Sequence, residues 1–314
     1  MPNLARDKDN SLHLVYGSGD SILYETLQAG GKSFSAPSLV AVLPGLFDMA
    51  MRGPQIACTD NGITVTASTR AGDIYSYLKD ASGNWKKAAR VNDIDTIAKE
   101  GLMALAGEGN TLFTVWLDLR GNKRNKIVVA KSDDGGKTWS KNRLISDSIV
   151  CDCCKPSVVM KGQNVFVMFR NSLKGSRDLY VIKSSDGGNS FSVAEKMGNG
   201  TWVLDGCPMD GGGIAVNEDN NPQTVWRRRD TIFACQPGNA EIEIGKGRGC
   251  VIESVNDKNV YAWAENGEIV CLLAKDKKQD LGKGTLPILK AINSSQVICI
   301  WQNDTQIHAA VLDL

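Results

Sequence analysis

Ser132-Asp133-Asp134-Gly135-Gly136-Lys137-Thr138-Trp139 reads as a turn with a mechanism, and Ser184-Ser185-Asp186-Gly187-Gly188-Asn189-Ser190-Phe191 repeats it 52 residues later. In both copies a Ser and an Asp two apart can accept hydrogen bonds from the turn's own backbone. The glycines permit positive φ, and the closing aromatic can fold beneath the turn. Each copy directly follows a β-branched run, Lys126 to Lys131 and Leu179 to Lys183. Two copies after two strands predict a repeat architecture.

Reduced copies extend the register towards the start of the chain, at Gly30-Gly31-Lys32-Ser33-Phe34 and Ser82-Gly83-Asn84-Trp85. The aromatics Phe34, Trp85, Trp139 and Phe191 are then 51, 54 and 52 residues apart. Around this ruler one phrase occurs seven times: a short apolar strand, a polar turn, and a second strand ending near an aromatic. The copies begin at Pro2, Pro54, Gly101, Pro156, Gly213, Gly249 and Pro287. A third apolar strand follows each, as in Ile127-Val128-Val129-Ala130, and the Ser-x-Asp-x-Gly turn joins third to fourth strand. No stretch has the apolar period of a long amphipathic helix.

The predicted fold is therefore all-β: a β-propeller of four-stranded antiparallel blades, seven-bladed, with six blades as the alternative. Residues 1–314 are expected to form a single domain. The last repeat stops after its third strand, so its outer strand is missing or supplied from elsewhere.

Composition narrows the partners. The chain carries 36 Lys and Arg against 35 Asp and Glu, a formal net charge of +1. This gives no basic field for nucleic acid. No apolar run approaches the ~18 residues that would span a bilayer, so membrane insertion is not expected. A small-molecule or glycan ligand and a monomeric state are the expectation. Met1-Pro2-Asn3-Leu4-Ala5-Arg6 has no charged-then-apolar leader. The compartment stays open between the cytoplasm and, if a leader has been removed, the periplasm or exterior.

The pattern Ser-x-Asp-x-Gly-x-Thr-Trp resembles the Asp box of the sialidase and BNR-repeat superfamily. Several longer phrases resemble a bacterial group of sialidase-like propellers: Met51-Arg52-Gly53-Pro54, Cys151-Asp152-Cys153-Cys154-Lys155-Pro156, and Cys207-Pro208-Met209-Asp210-Gly211-Gly212-Gly213. The resemblance covers nearly the whole chain. It implies a propeller and, by analogy alone, a glycosidase acting on a terminal acidic sugar.

In a four-stranded meander the connections alternate ends. The Asp-box turns then share a face with the first-to-second-strand turns, while the blade-to-blade lead-ins lie at the other end. The channel mouth at that other end is the expected site. Sialidases resemble one another in an arginine triad that holds the substrate carboxylate, a Tyr–Glu nucleophile pair and an acidic residue. Arg52-Gly53-Pro54 stands where the family's Arg-Ile-Pro would begin a strand. The resemblance assigns Arg52, Arg170 and Arg248 to the clamp, and Glu100 and Asp210 to acid–base work. All six tyrosines lie in second or third strands, so the nucleophile is not identified.

Nine cysteines against two histidines are the remaining signal. Cys58, Cys235, Cys250, Cys271 and Cys299 sit within apolar strands and read as buried structural thiols. Cys151, Cys153, Cys154 and Cys207 occupy two consecutive lead-ins, with Met209 two residues beyond. Three readings stand. One is a disulfide from Cys151 or Cys153 to Cys207. Another is a soft-metal site for copper or zinc built from Cys151, Cys153, Cys154, Cys207 and Met209. The third is a set of redox-active thiols. A non-catalytic propeller binding a metal or partner through this cluster is the alternative to hydrolysis.

Overall fold

The computed structural model describes every residue except 122–123, 148 and 274–276. The chain is all-β, a seven-bladed β-propeller fold, with no helix among the described residues. Its strands fall into two compact units, Met1–Asp147 and Ser148–Leu314.

The first unit holds three meanders in which each strand pairs antiparallel with its chain neighbour. The first blade is β1 (Asn3–Arg6), β2 (Leu12–Ser18), β3 (Ser21–Leu27) and β4 (Ser38–Val42). The second is β5 (Gln55–Thr59), β6 (Gly62–Ser68), β7 (Ile74–Lys79) and β8 (Trp85–Arg90). The third is β9 (Met103–Glu108), β10 (Thr111–Asp118), β11 (Lys126–Ser132) and β12 (Arg143–Leu144).

Burial follows the strand's place in the blade. β10 is buried along almost its whole length, whereas β12 is a two-residue exposed edge. Short outer strands are one way a sheet limits edge-to-edge pairing. Between the first two blades lie Val15, Ile22, Ile56, Val65 and Tyr77, and between the second and third lie Ile74, Met103, Trp116 and Val128.

The second unit repeats the plan. Its blades are β13 (Ser157–Lys161) to β16 (Glu195–Lys196), β17 (Gly213–Val216) to β20 (Ile242–Lys246), β21 (Arg248–Val255) to β24 (Lys277–Lys283), and a three-stranded sheet of β25 (Thr285–Ala291), β26 (Gln296–Asn303) and β27 (Gln306–Asp313). β14 (Asn164–Arg170), β15 (Leu179–Ser184), β18 (Pro222–Arg228), β19 (Thr231–Cys235), β22 (Lys258–Glu265) and β23 (Glu268–Leu273) are the middle strands. Trp226, Trp263 and Trp301 fill the spaces between successive sheets, so these residues are packing elements.

The two full Asp boxes close identically. Ser132 Oγ donates to Asp134 Oδ1 at 2.8 Å and accepts from Gly136 N at 2.8 Å, while Thr138 N and Oγ1 donate to the Asp134 carboxylate at 3.0 and 2.6 Å. Ser184, Asp186, Gly188 and Ser190 reproduce each bond at 2.7, 2.8, 2.9 and 2.6 Å. Gly135 and Gly136 have φ of 70° and 88°, which is why the sequence needs glycine there. Gly135 N also donates to Asn110 O, and Gly187 N to Gln163 O. Each box is thereby tied to the first-to-second-strand turn of its own blade, as the alternation of connections requires.

Candidate functional site

The expected rim residues can be placed one by one. Arg52, between β4 and β5, donates Nε to Glu100 O and approaches Glu100 Oε2 through Nη2 at 3.5 Å, while its guanidinium lies 5.8 Å from the Phe47 ring centre. Arg52 and Glu100 are therefore brought together. Glycine at position 53 has a steric cause, since a Cβ there would lie 2.7 Å from Met1 O.

In the second unit, Arg170 at the end of β14 is 2% exposed. It donates Nε to Asp210 O at 3.1 Å, Nη1 to Arg177 O and Nη2 to Arg227 O at 3.0 Å. Each guanidinium nitrogen already donates to a carbonyl, and the buried side chain offers little surface to a substrate carboxylate. Asp210 is 2% exposed, and its Oδ2 accepts from Arg227 Nε at 2.9 Å and from Gly249 N at 3.0 Å. Trp202 is buried with the guanidinium carbons of Arg170 and Arg227 each 5.3 Å from its ring, so it braces these arginines and offers no open sugar platform. Arg248 begins β21 and is exposed.

Tyr16, Tyr24 and Tyr77 are held in the phenol form. Tyr16 Oη donates to Glu25 Oε1 at 2.8 Å within β2 and β3, and burial with this carboxylate pushes the phenol up. Burial likewise pushes Tyr24 and Tyr77 up to about 12. His13 is a core residue held between Tyr24 Oη at 2.6 Å and Asp7 Oδ2 at 2.9 Å.

The four lead-in cysteines do converge. Cys153 and Cys207 form a disulfide, with Cα atoms 6.2 Å apart. Cys151 Sγ lies 3.5 Å from Cys153 Sγ, and Cys154 Sγ lies 4.0 Å from it. The sulfurs of Cys151, Cys153 and Cys154 lie within 4.8 Å of one another and are buried, whereas Cys207 is exposed. A hydrogen bond from Cys154, outweighing burial, with Arg170 and Arg177 nearby, draws the Cys151 thiol down to about 7. With the disulfide formed, Cys151 and Cys154 are the two thiols left, short of the four ligands of a structural zinc. Met209 is 47% exposed.

A cleft in the first unit lay outside the sequence reading. It encloses about 520 Å³ between the second blade and the Asp-box turn of the third. Asn61 and Thr64 line one side, Lys79, Asp80 and Lys86 another, and Lys137 of the Asp box a third. Lys87 and Asp134 also border it, but the ammonium groups of Lys79 and Lys87 lie over aromatic rings, 4.3 Å from the centre of Tyr24 and 3.4 Å from that of Tyr75. Asp80 pairs with Lys86 at 3.2 Å and the Asp134 carboxylate is engaged by its own turn, so Lys137 supplies the cleft's remaining ammonium group. In the sequence this feature is carried by Lys86 beside the reduced turn and Lys137 in the full one.

No known protein family and no curated protein matches the sequence. Solved structures do resemble it in fold. A PL25 ulvan lyase bound to -[GlcA(1-4)Rha3S]- superposes with TM-score 0.62 at 11% identity, covering 98% of this chain and 90% of that one. A protein of unknown function from Dyadobacter fermentans gives TM-score 0.59 at 13% identity, covering 100% and 94%. The Aleuria aurantia lectin in complex with Fucalpha1-6GlcNAc gives 0.57 at 9% identity, covering 91% and 95%. At these identities the likeness establishes the propeller fold, and the sialidase resemblance rests on the sequence phrases alone.

Proposed function

We propose that this chain is a carbohydrate-binding propeller that takes an anionic glycan in the lysine-lined cleft beside the Asp-box turn of its third blade. The carrying observation is the cleft itself. Its volume of about 520 Å³ lies within the usual range of ligand pockets, and the exposed Asn61 side chain accompanies the ammonium groups of Lys86 and Lys137. Lysine is a mobile point charge suited to carboxylate and sulfate oxygens. Fold neighbours that carry a uronate–sulfated rhamnose or a fucoside ligand support the reading by analogy. Titration calorimetry with uronate- and sulfate-bearing oligosaccharides tests it. Binding weakened by added salt and by Lys137→Glu with Lys86→Glu is expected; equal affinity for a neutral fucoside would sink the anionic assignment.

Hydrolysis of a terminal sialoside is a second reading. It is favoured by the exposed Arg248 and by Arg52, whose Nη1 has no hydrogen-bond partner among the described residues. Glu100 and Asp210 would be its acid–base residues. Turnover of a fluorogenic sialoside that Arg52→Ala abolishes is the expected result, and no turnover by the intact protein would end this reading.

A further inference from the structure

We propose that Cys151, Cys153, Cys154 and Cys207 form a thiol–disulfide exchange centre, in which the buried Cys151/Cys154 pair passes two electrons to the Cys153–Cys207 disulfide and so delivers a reactive thiol to the surface at Cys207. Three observations carry it. Cys151 and Cys154 stand in Cys-x-x-Cys spacing on one turn, closed by Cys154 N donating to Cys151 O at 3.5 Å. Cys151 Sγ is in contact with the disulfide sulfur of Cys153 at 3.5 Å. The burial is graded, with Cys151 and Cys154 at 4% and 2% exposure and Cys207 open to solvent.

Two exchanges complete the transfer. Cys151 Sγ, as thiolate, bonds to Cys153 Sγ while the Cys153–Cys207 bond breaks. The electron pair leaves on Cys207, which takes a proton from solvent in place of the one Cys151 gave up. Cys154 then attacks Cys151 Sγ, the Cys151–Cys153 bond breaks, and the proton of Cys154 ends on Cys153. Cys151 and Cys154 are oxidised to a disulfide, Cys153 and Cys207 are reduced to thiols, and no outside oxidant is consumed. Arg170, held by three carbonyls, keeps a fixed positive charge beside the sulfurs throughout. The outside reactant is a thiol compound, which meets the centre at Cys207 and forms a mixed disulfide there when Cys207 is still oxidised, leaving Cys153 as the thiolate.

Trypsin separates the two states. The three clustered cysteines share one peptide, 144–161, because the Lys155–Pro156 bond resists cleavage, and Cys207 lies in peptide 197–227. Native protein without reductant is held at pH 8 with iodoacetamide, quenched with acid and digested. The expected result is alkylated 197–227 accumulating together with 144–161 that carries one internal disulfide. In Cys151→Ser the cross-linked pair persists, and alkylation of Cys207 slows by about tenfold or more. In Cys154→Ser the first exchange survives, so the internal disulfide maps to Cys151–Cys153. This second variant also guards against misfolding of the first. Alkylation of Cys207 at the same rate in wild type and Cys151→Ser, or persistence of the cross-link in wild type and Cys154→Ser alike, would overturn the proposal.

Discussion

Thr64 on β6 donates its hydroxyl to Gly135 O at 2.7 Å, joining the second blade to the Asp-box turn of the third across 71 residues of sequence. Ser76 on β7 adds a second link to Gly136 O at 3.0 Å, and Trp139 Nε1 reaches Ser76 Oγ at 3.2 Å. The turn therefore bolts neighbouring blades together through its carbonyls, besides reversing its own chain. Thr64→Val should cost about 1–3 kcal/mol, because it leaves the buried Gly135 carbonyl without its hydroxyl donor. Gly136→Ala should also destabilise, since it places a methyl 2.7 Å from Thr64 Cγ2 at a φ of 88°. The two changes act on one contact, so the double variant in denaturant titration should lose less than their sum. Strict additivity would contradict the bolt.

The same turn predicts an acid-sensitive element. Burial pushes the Asp134 carboxyl up, but hydrogen bonds from Thr138 and Ser132 outweigh it and hold the group down to about 2. A carboxylate held below its unfolded value adds stability that is complete above that value and is lost as pH falls through the folded one. The loss from Asp134 should therefore run from about pH 4 to about pH 2. Asp134→Asn should lower thermal stability at neutral pH and flatten this acid limb. Melting curves across that window check it, and an unchanged limb in the variant would count against the carboxylate.

The fold was legible because the Asp box is a local device: its bonds join residues two to four apart, so spacing alone located the third and fourth strands. The candidate sites were less legible because they are made by contacts that sequence does not encode locally. The partners of Arg170 are carbonyls of residues 177, 210 and 227, chosen by the path of loops. The convergence of Cys151, Cys153, Cys154 and Cys207 followed from adjacent lead-ins, but nothing in the spacing selected Cys153 over Cys151 as the disulfide partner. The cleft is not legible in the sequence because it needs residues from two blades, and because the repeat register points to the end away from the Asp boxes.

Arg227 and Asp210 give a prediction about buried charge. Arg227 Nε meets Asp210 Oδ2 at 2.9 Å, while its Nη atoms hold Pro208 O and Arg229 O at 2.6 and 2.7 Å. The side chains are 11% and 1% exposed. Arg227→Met would leave the Asp210 carboxylate buried with Gly249 N as its remaining donor, and should cost about 3–5 kcal/mol. Arg227→Lys should recover part of this, because one ammonium cannot span the carboxylate and both carbonyls. Denaturation midpoints of the three proteins test the order, and a loss no larger than that of an exposed ion pair would show that the pair is solvated.

The Cys153–Cys207 bond closes a loop across 54 residues, from the lead-in of β13 to that of β17, and so encloses the whole fourth blade. In the chain-entropy account such a closure restricts the unfolded state by up to about 4 kcal/mol. Cys207→Ser should therefore lower the melting temperature measured without reductant, and adding a reductant to the wild type should reproduce most of that drop. Exchange within the cluster sets a further condition. A Cys151–Cys154 disulfide encloses only two residues, so moving the oxidation to that pair surrenders more than half of the loop constraint. The resting protein should accordingly favour Cys153–Cys207, with the exchanged form a minor species that an irreversible trap at Cys207 accumulates. A Cys207→Ser protein that melts with wild type would show that the fourth blade is already fixed by its packing against the fifth, through Met168, Met197 and Trp226, and that the bond serves chemistry alone.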